Sequence, residues 1–124
     1  MAKRRMFSMK IVDTDAFCEM PNSAQNLYFH IGMRADDDGF YASVKGLMAK
    51  IHSTADDLNI LLARRFILSV GDGVYVIKHW KVNNYIQKDR YEPTEYYEKK
   101  AMITEKKDGT YTENVPTLEI NTID

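Results

Sequence analysis

Residues 66–80 read FILSVGDGVYVIKHW. Both arms are rich in β-branched and aromatic side chains, and Gly71, Asp72 and Gly73 between them supply the positive-φ positions that a tight turn between antiparallel strands requires. The stretch is therefore expected to form a two-stranded hairpin. It follows two short amphipathic helix patterns, and helix, helix, hairpin is the order of a winged helix-turn-helix. The expected fold class is α+β: a three-helix core plus a β-hairpin wing, with a flanking C-terminal helix.

Working upstream, Pro21, Asn22 and Ser23 open a first helix, with Asn22 as the expected N-cap and Gln25 placed to return a hydrogen bond. Ala24, Leu27, Tyr28 and Ile31 fall on one stripe. Asp36, Asp37, Asp38 and Gly39 are turn chemistry and end that helix near Arg34, with the acids expected at the surface beside Arg34. Phe40 and Tyr41 are expected as a short strand against the hairpin. A second helix starts at Ser43 with Val44, Leu47, Met48 and Ile51 on one face. A third starts at Thr54, where Asp57 suits a capping box. Two or three residues separate these helices, so the chain must turn sharply between them.

Downstream of the hairpin, residues 81–86 read as a short helix, and Trp80 is expected in the core where hairpin and helix join. Thr94 is expected to cap a last helix through about Ile103, with Glu95 and Lys99 paired at i, i+4. Asp108 and Gly109 suit a second small hairpin. Residues 1–112 are expected to form the domain and 113–124 a flexible tail. Cys18, the one cysteine, sits among Ala16, Phe17 and Met20 and is expected as a buried thiol.

The 124 residues carry a net charge of −1, distributed unevenly: residues 1–10 sum to +4, 11–38 to −5, 39–70 and 71–90 to +2 each, and 91–124 to −4. Local positive patches of this kind neutralise phosphates even on a near-neutral protein. The candidate DNA-binding residues are accordingly Lys3, Arg4, Arg5, Lys45, Lys50, Asn59, Arg64, Lys78, Lys81, Lys88 and Arg90. In helical projection the third helix turns Asp56, Asn59, Ile60 and Ala63 outward with Arg64 at the edge, and only Asn59 and Arg64 there are base-reading types. Specificity should be modest. Arg65 points toward the apolar stripe and is expected to snorkel or to pair with an acid rather than contact nucleic acid.

The chain lacks the marks of catalysis. His30, His52 and His79 are dispersed, and no zinc spacing, phosphate-binding glycine loop or nucleophile elbow is present. No catalytic residue, metal or cofactor is therefore assigned. Apolar runs are too short to cross a bilayer and the N-terminus has no hydrophobic segment behind its basic residues, so a cytoplasmic location without membrane contact is expected. Met1, Met6, Phe7, Met9 and Ile11 before the first helix, and Tyr91, Tyr96, Tyr97, Met102, Ile103 and Tyr111 after the hairpin, exceed what one small core needs. They either fold back on the domain or pair chains, and a homo-oligomer is expected.

The stretches MAKRRMFS, VDTDAFCEMPNSAQNLYFHIGMRADDDGF and VIKHWKVNNYIQKDRYEPT resemble the N-terminal domain of replisome-organiser proteins of phages and prophages of Gram-positive bacteria, relatives of the DnaD-type initiation proteins. The similarity covers about residues 1–112. It implies a winged-helix module used in initiating phage DNA replication, with DNA binding and self-association as usual properties of the wider group; duplex DNA and further copies of itself are the expected partners of a non-enzymatic module, with single-stranded DNA and host replication proteins as further candidates. It identifies no base-contacting residues. Val44, Lys45 and Gly46 stand where the family often has a proline and paired lysines, which removes a cation and adds a helix-weakening glycine. Full-length organisers continue into a C-terminal domain, so the chain is either a short relative or one domain's worth of a longer one. Two other functions fit the residues: a small transcriptional regulator, and a phage protein-interaction module that inhibits a host factor.

Overall fold

The computed structural model describes residues 4–114. In chain order these form α1 (Met9–Val12), α2 (Asp15–Cys18), α3 (Asn22–Arg34), β1 (Phe40–Tyr41), α4 (Val44–Lys50), α5 (Ala55–Ala63), β2 (Ile67–Ser69), β3 (Tyr75–Ile77), α6 (Trp80–Asn83), α7 (Tyr97–Lys100), β4 (Ile103–Glu105) and β5 (Tyr111–Glu113). The architecture is mixed α+β with two small antiparallel sheets. None of the helices is long and apolar enough to cross a membrane among the described residues. Residues 115–124, most of the expected tail, and Lys3 lie outside them, while Glu113 belongs to β5.

The expected hairpin is present, β2 pairing with β3 so that Ile67 faces Ile77 and Ser69 faces Tyr75. Gly71, Asp72 and Gly73 all have positive φ (+89°, +57° and +74°), a run that closes the turn because glycine carries no Cβ to clash. Strand β1 joins the other edge of β3, Phe40 opposite Val76, which gives the order β1-β3-β2.

The stripe of α3 is buried as its periodicity demands, with Ala24, Leu27, Tyr28 and Ile31 at 0 % exposure. It packs chiefly on α5, whose Leu61 is fully buried, and on α4 through Leu47 and Val44. Asn22 is not the N-cap of α3. Pro21 holds that position and Asn22 is the first helical residue, while Gln25 donates to the carbonyls of Cys18 (3.2 Å) and Met20 (2.9 Å) and ties the helix to the preceding turn. Thr54 and Asp57 do form the capping box of α5. The link between α4 and α5 is four residues and includes His52 at φ +61°.

The N-terminal segment folds back on the domain. Phe7, Phe17, Tyr28, Phe29 and Phe66 make a chain of edge-to-face and tilted ring contacts with centroids 5.0–6.0 Å apart, each such pair contributing about 1 kcal/mol beyond its buried area. Burying Phe17 and Met20 on one side of a single-turn helix turns Cys18 outward, so its thiol is exposed rather than buried. Ile11, Ile103 and Tyr111 enter the core, whereas Met6, Met9, Tyr97 and Met102 stay exposed.

The C-terminal region departs from expectation. Helix α7 spans one turn, and its N-cap is Tyr96 rather than Thr94. Residues from Ile103 pair as β4 with β5 around the Asp108, Gly109 turn. Lys99 pairs with Asp72 at the hairpin tip instead of Glu95. Thr94 is buried because its hydroxyl donates to Asp36 and its N–H to Asp38 Oδ2 (2.8 Å). Helix α6 also stops at Asn83, three residues before the expected end.

The largest correction concerns the three aspartates after α3. They do not form a surface network with Arg34, whose guanidinium instead bonds His30 Nδ1 (2.9 Å) and the His30 carbonyl (3.1 Å). Asp37 and Asp38 are 2 % and 0 % exposed. Arg5 donates to Asp37 Oδ1 (3.0 Å) and to the Ala35 carbonyl (2.7 Å). Tyr91 and Lys100 donate to Asp38. Trp80, 1 % exposed as expected, lies against this turn: its Nε1 donates to the Asp37 carbonyl (2.9 Å) and the Arg5 guanidinium stands 5.2 Å from its ring. Gly39 (φ +93°) makes the approach possible, since a Cβ there would lie 2.7 Å from Trp80 Cγ.

Candidate nucleic-acid interface

The candidate cations fall into separate groups. Arg5 is removed from the surface: its side chain is 2 % exposed in the pair with Asp37, so it holds the fold rather than a phosphate. Arg4 beside it is exposed. Lys50, the last residue of α4, and Arg90, in the loop before α7, are exposed and line none of the three cavities described below. Asn59 is exposed on the outer face of α5 together with Ala55, Asp56 and Ala63, a surface with one amide and one negative charge. Such a face offers little to base edges.

Arg64 and Lys78, fourteen positions apart, are brought to one cavity of about 300 Å³ between the end of α5, the base of the hairpin and α1. Lys10, Arg65 and His79 line it too. Arg64 caps α5, donates to the Ala16 carbonyl (3.2 Å) and stands 3.6 Å from Glu19. Arg65, at φ +63°, makes two hydrogen bonds to Glu113, one of the two roles expected of it; Glu113 raises the Arg65 pKa, and Arg65 holds Glu113 below the usual carboxylate range. Burial first and the Lys78 charge second lower the His79 pKa against the opposing pull of Asp108. Its Nδ1 is buried and without a hydrogen-bond partner among the described residues. Lys10 and Lys78 make no ion pair within the described residues, which leaves the groove positively charged.

Lys81 and Lys88 stand on a second cavity of about 340 Å³, with Trp80, Asn84, Tyr85 and Tyr91 in its wall. Lys45 stands on a third, about 250 Å³, between the first turn of α4, Leu58 of α5, and Gly73 and Tyr75 of the hairpin. No family model, curated protein or solved structure matches this chain.

Lys10, Arg65 and His79 were not among the candidates because nothing in their spacing joins them. Their convergence is a product of topology: α1 returns to the base of the hairpin, and Arg65 and His79 flank the strands that meet there. The described residues contain no group of three or more His, Cys, Asp or Glu able to hold a metal ion, and the carboxylates of residues 36–38 are engaged in the hydrogen bonds given above.

Proposed function

We propose that this domain is a winged-helix DNA-binding module of the replisome-organiser kind, non-enzymatic and modest in sequence specificity. The single observation that carries the reading is the groove where Lys10, Arg64, Arg65, Lys78 and His79 meet, set at the base of a hairpin in a helix, strand, helix, helix, hairpin order with strand sequence β1-β3-β2. Cations gathered from distant parts of a chain, with Lys10 and Lys78 outside the ion pairs of the described residues, suit a phosphate backbone. The poor base-reading surface of α5 fits affinity without strong sequence preference. Self-association, also implied by the resemblance, would draw on Met6, Met9, Tyr97 and Met102, which keep 48–72 % exposure.

Fluorescence anisotropy with random-sequence duplex in a salt series tests this. Four engaged phosphates give a log–log slope near −3.6 and a loss of about two orders of magnitude between about 50 and 200 mM salt. Lys10→Ala with Lys78→Ala should flatten the slope by about 1.8, at about 0.9 per lost contact. Unaltered slope removes the groove from the interface. A second reading, a module that binds a host protein, is favoured by the one acid and small apolar residues on the outer face of α5, and absence of duplex binding at about 50 mM salt would transfer the case to it.

A further inference from the structure

The second cavity combines features that the phosphate groove lacks. Tyr85 and Tyr91 give it aromatic walls beside the 1 % exposed Trp80, Lys81 and Lys88 stand at it, and its volume of about 340 Å³ lies in the range of ligand-binding sites. Tyr85 is 79 % exposed, an aromatic ring left in water next to a cavity with two further rings.

The electrostatics also favour an anionic chain. Asp37 in the wall is neutralised by Arg5, which leaves Lys81 and Lys88 against Glu105. The Lys81 ammonium is 5.9 Å from the centre of the Tyr91 ring, a cation held over the aromatic surface. One amide in the wall is unsatisfied. Asn84 is 7 % exposed, and its Oδ1 accepts from the Met6 N–H (2.8 Å), yet its Nδ2 has no partner among the described residues.

We infer that the cavity beside Trp80, with Tyr85 as its exposed stacking face and Tyr91 in its wall, is a subsite for an unpaired nucleobase of single-stranded DNA, with Lys81 and Lys88 holding the flanking phosphates. Aromatic platforms with cations tracking the backbone are the means by which unpaired strands are bound, whereas a duplex keeps its base faces stacked and presents only phosphates and groove edges. The inference rests on the DNA-binding reading for its ligand class but uses a different part of the surface. One protein could then hold a duplex on its phosphate groove and an unpaired strand on its aromatic cavity.

The test measures the full chain against a short oligothymidylate, an abasic strand of equal length and a duplex, following both anisotropy and the fluorescence of Trp80, the one tryptophan. Oligothymidylate should quench Trp80 and bind more tightly than the abasic strand. Tyr85→Ala, at an exposed position that leaves the fold intact, should weaken oligothymidylate about tenfold, the value of one lost stacking contact, while leaving the duplex unchanged. Tyr85→Phe should restore the affinity, since it keeps the stacking face. Equal binding of oligothymidylate by the parent and Tyr85→Ala proteins, or equal binding of the abasic strand and oligothymidylate, overturns the base subsite while duplex binding continues to support the phosphate groove. Tyr85-dependent oligothymidylate binding with no duplex binding supports the subsite and overturns the duplex reading alone.

Discussion

Residues 36–38 and residues 56–57 are both runs of aspartate at a helix boundary, and in sequence they look alike. In the fold they are opposites. Asp57 is satisfied mainly by its neighbourhood: Ser53 Oγ donates to it at 2.7 Å and the Thr54 N–H at 3.0 Å, with Ser23 Oγ as the one distant donor. Asp56 beside it stays in solvent. Residues 36–38 begin in the same way, Asp36 accepting the N–H groups of Asp38 and Phe40 at 3.0 Å. Their remaining partners, Arg5, Tyr91, Glu92, Thr94 and Lys100, all come from segments about thirty to sixty positions away. Local turn chemistry set the geometry of both runs and both bury a carboxylate, Asp57 at 3 % exposure and Asp37 and Asp38 at 2 % and 0 %, but only residues 36–38 need the distant flanks of the chain to satisfy them. The buried turn thereby fastens the N-terminal segment and residues 91–100 to the helical core, and it draws on one of the cations that charge counting had offered to DNA.

The largest expected effect separates the two runs by stability. Asp37→Ala leaves the 2 % exposed Arg5 side chain charged and without its carboxylate, which should cost about 3–5 kcal/mol, a large part of the stability of a domain this size. Asp57→Ala removes three hydrogen bonds, the capping-box bond among them, and strands no buried charge, so it should cost about 2 kcal/mol. Urea denaturation of both proteins gives the two values from the shift in midpoint. Equal costs would break the comparison, because they would mean that the buried pair of Arg5 with Asp37 matters no more than the local hydrogen bonds of a helix cap.

How far the sequence could carry this is visible in the same residues. The hairpin, its positive-φ turn, the stripe of α3, the capping box of α5 and the turn at Asp108 and Gly109 were legible, because each depends on residues within a few positions of one another. Trp80 was legible as core from its bulk and its place at the end of the hairpin. Arg5, Cys18 and Thr94 were not, since their fates depend on which distant segment arrives. A basic residue in a run of basic residues carries no sign that a buried carboxylate awaits it. The last helix was read too long because residues 94–103 have helical spacing, but the pairing of Ile103 with Glu113 ends it after one turn. Of the candidate interface, Arg64 and Lys78 were named and do share a groove, while Lys10, Arg65 and His79 complete it through topology alone.

A smaller effect sharpens the comparison through pH. Burial raises the Asp36 pKa above its ordinary 3.8, outweighing the hydrogen bonds from Thr94, Phe40 and Asp38 that pull it down. Burial also acts upward on Asp57, but there the bonds from Ser23, Thr54 and Ser53 win and the pKa falls below 3.8. The consequences for stability have opposite signs. A raised carboxyl favours the fold when protonated, so the Asp36 contribution is fully present below 3.8 and is lost as pH rises through its higher folded value. A lowered one favours the fold when ionised, so the Asp57 contribution is present above 3.8 and is lost as pH falls through its lower folded value. Carboxyl carbon chemical shifts followed by NMR should place the Asp36 midpoint above the Asp57 midpoint. Coincident midpoints would remove the distinction between the two environments.

The smallest effect on stability, and the one that bears most on function, is expected at Asp56. It lies in the first turn of α5, where a negative charge interacts favourably with the helix dipole, so Asp56→Lys should cost about 0.5 kcal/mol and leave the fold intact. Its value is as a probe of which surface meets DNA. If the outer face of α5 lies against the duplex, exchanging an acid for a base there adds a phosphate contact and steepens the log–log salt slope by about 0.9. If the duplex lies on the groove of Lys10, Arg64, Arg65, Lys78 and His79, on the other side of that helix's C-terminal end, the slope should stay within error of the parent. The groove reading expects the second result. A steeper slope for Asp56→Lys, with no change for Lys10→Ala and Lys78→Ala, would return α5 to the role its place in the fold suggests and leave the cationic groove without one.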